Sequence, residues 1–150
     1  MKTLLMTVGL ALSYTASAQW MTKVIDNKID PKYKTAHTDP TKRPWLKLED
    51  YKEGVAFYIG GIFVCGDAVD VDISFMVDGE WVEYKVKDCV IAEDNKAVFF
   101  TDNLEVNEML PSFISSSLAR VRIYDTRCSE VTHEFNMTNG SSAFNFIDQD

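Results

Sequence analysis

The chain's patterning predicts a mainly β fold: one antiparallel domain, β-sandwich or open-barrel-like, with one short helix near residues 111–118. Three observations lead there. From Trp45 onward, short β-branched and aromatic runs are separated by turn residues at close intervals. One pair of runs flanks Asp78-Gly79, the dipeptide favoured in two-residue type I′ hairpin loops. A single segment, Val106 to Leu118, carries apolar residues at helical spacing.

The first eighteen residues stand apart from that domain. Met1-Lys2 gives a short basic start, and Thr3 to Tyr14 is mostly apolar and uncharged. Ala16-Ser17-Ala18 then matches the small-x-small pattern that signal peptidase reads. Residues 1–18 are therefore expected to be a signal peptide, with Gln19 the first mature residue. The protein is expected to be exported, to the periplasm or beyond the cell. The apolar run is well short of the roughly 20 residues that span a bilayer, so no stable membrane anchor is expected after cleavage.

Residues 19–44 hold three of the four prolines (Pro31, Pro40, Pro44) and little periodicity. They predict a loop-rich basic arm with a short strand at Trp20 to Ile25, bracketed and anchored in the core by Trp20 and Trp45. Residues 45–150 form the acidic β-sandwich-like domain. Val55 to Val64 is a strand whose Gly60-Gly61 pair signals a bulge or a close backbone approach. Val69 to Lys87 is the hairpin. With Asp78-Gly79 as its loop, Val77 faces Glu80, Phe75 faces Val82, Ile73 faces Tyr84 and Val71 faces Val86 on the apolar side. On the other side Asp72 meets Lys85, Asp70 meets Lys87 and Met76 meets Trp81. Ala97 to Thr101 is another strand. Pro111 suits the first turn of a short helix, because inside a helix it removes a hydrogen bond. Ala119 to Asp125 and Val131 to Met137 alternate as strands, and Asn139-Gly140-Ser141 turns the chain before a last apolar stretch, Ala143 to Ile147.

Charge bounds the partners. Residues 19–46 carry six Lys/Arg against three Asp, whereas residues 47–150 carry eight Lys/Arg against twenty Asp/Glu. An acidic body disfavours nucleic acid and anionic membrane, both polyanions, and leaves a protein partner. Negative charge also serves simple solubility. Cys65, Cys89 and Cys128 are expected to form one disulfide in an oxidising compartment, with one thiol left over and three pairings open. Their spacings do not suit zinc.

Few residues suggest chemistry. Asp67, Asp70 and Asp72 lack the converging oxygens and central glycine of a calcium loop, and read as structural ion pairs. Cys128 and His133 would need a thiolate beside an imidazole to act as a cysteine hydrolase. His133 alternates with Val131 and Phe135, which reads instead as a core or rim histidine. His37 reads as surface. Arg120, Arg122 and Tyr124 share one strand face, able to grip a carboxylate or phosphate, or to pair with neighbouring Asp or Glu. No phosphate loop, nucleophile elbow or zinc-protease motif is present, and no metal or cofactor is implied.

In order, FYIGGIFVC, VDISFMVDGEW, KAVFF, FISSSLARVRIYD and HEFNMTNGSSAFNFI resemble a group of small exported bacterial and bacteriophage β-sandwich proteins of unassigned function. They are loosely similar to the domain of secreted proteins near type VI secretion and invasion-associated loci. The resemblance spans about two thirds of the chain and implies a β-sandwich, with no catalytic residue and no cofactor. The functional expectation is an exported, non-catalytic binding module with a protein partner. Its expected contact surface comprises Trp81, Met76, Arg120, Arg122 and Tyr124, since an exposed Trp is a common interface anchor. Two alternatives belong to other classes: an inhibitor of a basic exported enzyme such as lysozyme, steered by the acidic body, and a small hydrolase built on Cys128 and His133.

Overall fold

The computed structural model describes residues 20–26, 32–39, 41–51, 54–62, 64–65, 68–91, 97–100, 103–124 and 127–149. The expected signal peptide, residues 1–18, and Asp67 lie outside them. In chain order the strands are β1 (Met21–Ile25), β2 (Tyr33–His37), β3 (Trp45–Tyr51), β4 (Gly54–Gly60), β5 (Ala68–Val77), β6 (Glu80–Ile91), β7 (Ala97–Phe100), β8 (Leu118–Tyr124) and β9 (Glu130–Asn136). Helix α1 (Asn103–Ser115) precedes β8, and helix α2 (Gly140–Asp148) follows β9. All pairings are antiparallel, in the order β1-β2-β3-β4-β7-β6-β5-β8-β9. The four-residue β7 joins two four-stranded halves, β1 to β4 and β6-β5-β8-β9. The fold is thus mainly β with no closed barrel, consistent with a β-sandwich.

The β5–β6 hairpin has the register its sequence demands. Val71 pairs with Val86, Ile73 with Tyr84, Phe75 with Val82 and Val77 with Glu80. Asp78 and Gly79 both have positive φ (51° and 85°), the backbone that a type I′ loop requires. The expected pairing fails only beyond Val71. There Lys87 and Asp88 together oppose Asp70, a bulge that moves Val69 opposite Cys89.

Gly60 shows a close approach. It pairs with Trp45, and a Cβ on Gly60 would lie 2.0 Å from the indole. Trp45 therefore packs flat on the glycine backbone on the face opposite the buried Leu46, not in the core. Trp20 does enter the core. The stretch expected to be a loop-rich arm contributes two full strands: β1 pairs with β2, and β2 pairs with β3 through Ala36 opposite Leu48.

The helices differ from expectation. Helix α1 begins eight residues earlier than the anticipated 111–118 and ends at Ser115, with Pro111 inside it. An interior proline costs about 3 kcal/mol or more. Burial of the Val106, Met109 and Phe113 stripe offsets it. The Ser116 amide and hydroxyl both donate to the Phe113 carbonyl, closing the last turn. The last apolar stretch is a second helix: Asn139 adopts a left-handed conformation and α2 buries Gly140, Ala143 and Ile147 along one face.

The core lies between the halves. Leu46, Leu48, Phe57 and Ile59 face it from one side, and Val71, Ile73, Phe75, Val121 and Ile123 from the other. Phe113 of α1 sits at its centre, edge-on to Trp20 (5.6 Å), Phe57 (5.8 Å) and Phe75 (6.1 Å). Those separations suit T-shaped aromatic packing. One residue thus ties β4 of the first half to β5 of the second. No helix among the described residues is long and apolar enough to cross a membrane.

Candidate functional site

Because strand residues alternate between faces, burying Ile73, Phe75, Val121 and Ile123 drives their neighbours outward. The outer face of β6-β5-β8-β9 therefore carries Trp81, Met76, Arg120, Arg122 and Tyr124 together. Met76 stands opposite Trp81 on β6 and opposite Leu118 on β8. Arg120 stands opposite Ser74, and Arg122 opposite Asp72. All five candidates meet on one face, Trp81 partly exposed and Tyr124 48% exposed.

Each arginine on this face is held. The Arg120 guanidinium lies 4.2 Å from the centroid of the Trp81 ring, a cation–π contact across β5. Its Nη2 also donates to Glu134 Oε2 at 2.9 Å. Arg122 donates through Nε and Nη2 to the Asp72 carboxylate and lies 3.9 Å from Glu130. The hydrogen bond to Asp72 raises the pKa of Arg122, helped by the charges of Asp72 and Glu130. Asp72 thus pairs with β8 rather than with Lys85, the partner its hairpin suggested. Exposed ion pairs contribute little to stability, so their consequence is orientation.

Between these side chains the surface is hollowed. A depression of about 350 Å³ runs past Trp81, Ser74 and Arg120. A second, of about 340 Å³, continues past Lys87 and Tyr124. The two share Asp72, Lys85, Arg122 and Glu130, so they form one trough along the strands. The expected pairing of these arginines with neighbouring Asp or Glu is what the structure has, though the sequence did not name the partners. Their signal was present in the alternation Glu130-x-Thr132-x-Glu134, which β9 presents beside the arginines of β8.

The remaining candidates are dispersed. Cys65 and Cys128 form a disulfide with Cα atoms 5.3 Å apart. With its sulfur in that bond, Cys128 supplies no thiolate, and the Cys128–His133 hydrolase reading is overturned. Cys89 lies outside the disulfide, buried, its thiol near the Val86 carbonyl at 3.6 Å. His133 points inward from β9 at the rim, and burial lowers its pKa. His37 is not simple surface: it lies in β2, partly buried, with Nδ1 2.9 Å from the Thr38 carbonyl oxygen. On the other half, Lys47 meets Glu49 at 2.6 Å and lies 3.9 Å over the Tyr58 ring.

The disulfide also borders the trough. The Cys65 amide donates to the Tyr124 carbonyl at 3.3 Å, and Cys128 lies two residues before Glu130. The bond thereby pins the end of β8 and the turn into β9. Comparison of the chain with family models, curated proteins and solved structures returns no match.

Proposed function

We propose that this is an exported, non-catalytic binding module whose docking surface is the outer face of β6-β5-β8-β9. One observation carries the reading: Trp81 of β6 and Arg120, Arg122 and Tyr124 of β8 line a single open trough, with Arg120 stacked on the Trp81 ring. A partly exposed aromatic beside an ordered arginine is the side-chain chemistry of binding hot spots. Export rests on the basic start, apolar run and small-residue cleavage pattern of residues 1–18. Two further facts are in keeping with it. The Cys65–Cys128 disulfide suits an oxidising compartment. Every described element lies beyond Ala18, so cleavage there removes none of them. The motif resemblance to small exported bacterial and bacteriophage β-sandwich proteins points the same way.

Hydroxyl-radical footprinting of the exported protein in its native fraction, against the purified chain, tests the reading. Met76, Trp81 and Tyr124 are readily oxidised side chains on the face, and Met21, 38% exposed on β1 of the other half, is a control. Protection of the three with Met21 unchanged is expected. Equal oxidation in both samples would remove this surface from consideration. Mass measurement of the same material reports the mature start, expected at Gln19.

A further inference from the structure

The chemistry of the trough narrows its ligand. We propose that it binds a neutral, polyhydroxylated chain, a short oligosaccharide lying along the strands from Trp81 to Tyr124. This inference rests on the outer face being the docking surface, and it adds the ligand class.

Charge is the first ground. The whole chain has a formal net charge of −8. The trough departs from that excess: its lining carries four Lys/Arg and four Asp/Glu. A polyanion or polycation entering it would meet as much repulsion as attraction, and would have to separate Arg122 from Asp72. A neutral hydroxylated ligand needs neither. Each sugar hydroxyl both donates and accepts, so it bridges a carboxylate and a guanidinium without breaking their pair. Capacity remains for this, because a guanidinium offers five N–H donors and a carboxylate about four acceptor sites. Arg122 spends two donors on Asp72, and Arg120 spends two on Glu134.

Shape and aromatic placement are the second ground. Trp81 is level with Leu118 in the register, and from there to Tyr124 the strand advances roughly 20 Å at about 3.3 Å per residue. That span holds a trisaccharide. Trp81 lies toward one end and Tyr124 toward the other, with ion-paired side chains between. The exposed ring of Tyr124 accepts the apolar C–H face of a pyranose, while the hydroxyls at the sugar's edge reach the flanking charged groups; at Trp81 one ring face is taken by Arg120, and the ligand meets the rest of the indole. Arg120 stacked on Trp81 holds the indole orientation before any ligand arrives, which lowers the cost of ordering it on binding.

The test titrates the mature, oxidised chain with neutral trisaccharides (β-1,4-linked glucose, β-1,4-linked N-acetylglucosamine and α-1,4-linked glucose) and with anionic trigalacturonate. Tryptophan fluorescence and calorimetry follow binding. The expected result is saturable binding of at least one neutral trisaccharide, little changed by salt and at least about tenfold tighter than trigalacturonate. Trp81→Ala should weaken it by about tenfold or more, and so should Tyr124→Ala, whose exposed ring can be removed without disturbing the core. Circular dichroism confirms that each variant folds. No saturable binding of any neutral trisaccharide, a preference for trigalacturonate, or binding indifferent to both substitutions overturns the proposal. If footprinting protects Met76, Trp81 and Tyr124 while no trisaccharide binds, the docking face stands and a protein replaces the glycan as its partner.

Discussion

Removing the Cys65–Cys128 bond should destabilise the fold by an amount fixed mainly by the loop it closes. The two cysteines are 63 residues apart in sequence. Chain-entropy reasoning for a loop of that size gives about 4 kcal/mol at 25 °C, inside the range of roughly 2–5 kcal/mol found on removing native disulfides. For a domain of this size that corresponds to a melting temperature lower by roughly 8–16 °C. The perturbation is the double variant Cys65→Ser, Cys128→Ser, compared with the oxidised protein by guanidinium unfolding. Wild type in excess dithiothreitol should fall to the stability of the variant, and the variant should ignore dithiothreitol. Cys89→Ala isolates the third thiol and should leave the response to dithiothreitol intact. The bond also ties the Cys65 segment to Tyr124 and to the turn before Glu130. Radical oxidation at Tyr124 should therefore rise in the double variant while that at Met21 stays level. Stability within about 1 kcal/mol of wild type would refute the loop argument. Non-reducing mass mapping that joins Cys89 to either partner would refute the pairing itself.

Other outcomes follow from the packing. Phe113→Ala should cost about 3–5 kcal/mol by chemical denaturation, because its ring is buried against Trp20, Phe57 and Phe75. Ile114→Ala, the next residue and 37% exposed, should cost much less. Gly60→Ala should lose about 1–3 kcal/mol through the clash with Trp45. Adding Trp45→Ala should cost less than the sum of the two single changes, which a double-mutant cycle measures. Burial holds His133 below its ordinary value of 6.5, so the folded state binds that proton less readily than the unfolded chain. Its contribution is intact above about pH 6.5 and is lost as pH falls through the lower folded value. His133→Gln should therefore flatten the acid-side decline in melting temperature and change little at about pH 8.

The hairpin shows how much local sequence can specify. Asp78-Gly79 sets a two-residue loop, and alternation then leaves one register that buries Val71, Ile73 and Phe75 together. The five candidates of the outer face were legible for the same reason, since a period of two assigns each residue a side. That the arginines would meet carboxylates was expected, but which carboxylate each would meet was not legible. Asp72 and Arg122 are 50 residues apart in sequence and meet only because β5 pairs with β8. Helix α1 was misplaced because local propensity treats Pro111 as a start signal, while the cost of an interior proline is offset by contacts that only the assembled core provides. Helix α2 was read as an apolar run because Phe144, Phe146 and Ile147 favour strands as readily as helices. The left-handed turn at Asn139 and packing against β2, β3 and α1 decided it.

By itself, then, the sequence determined the mainly β class, the hairpin register from Val71 to Val77 and the side on which the hairpin and β8 residues stand. Those depend on backbone sterics and on a period of two, both local. Only the tertiary structure decided which cysteines bond, which carboxylate each arginine holds, and that the arm joins the sheet as β1 and β2. Each of those depends on distances between segments far apart in the chain. Such distances are set by how the two halves close around Phe113, and no local pattern encodes them.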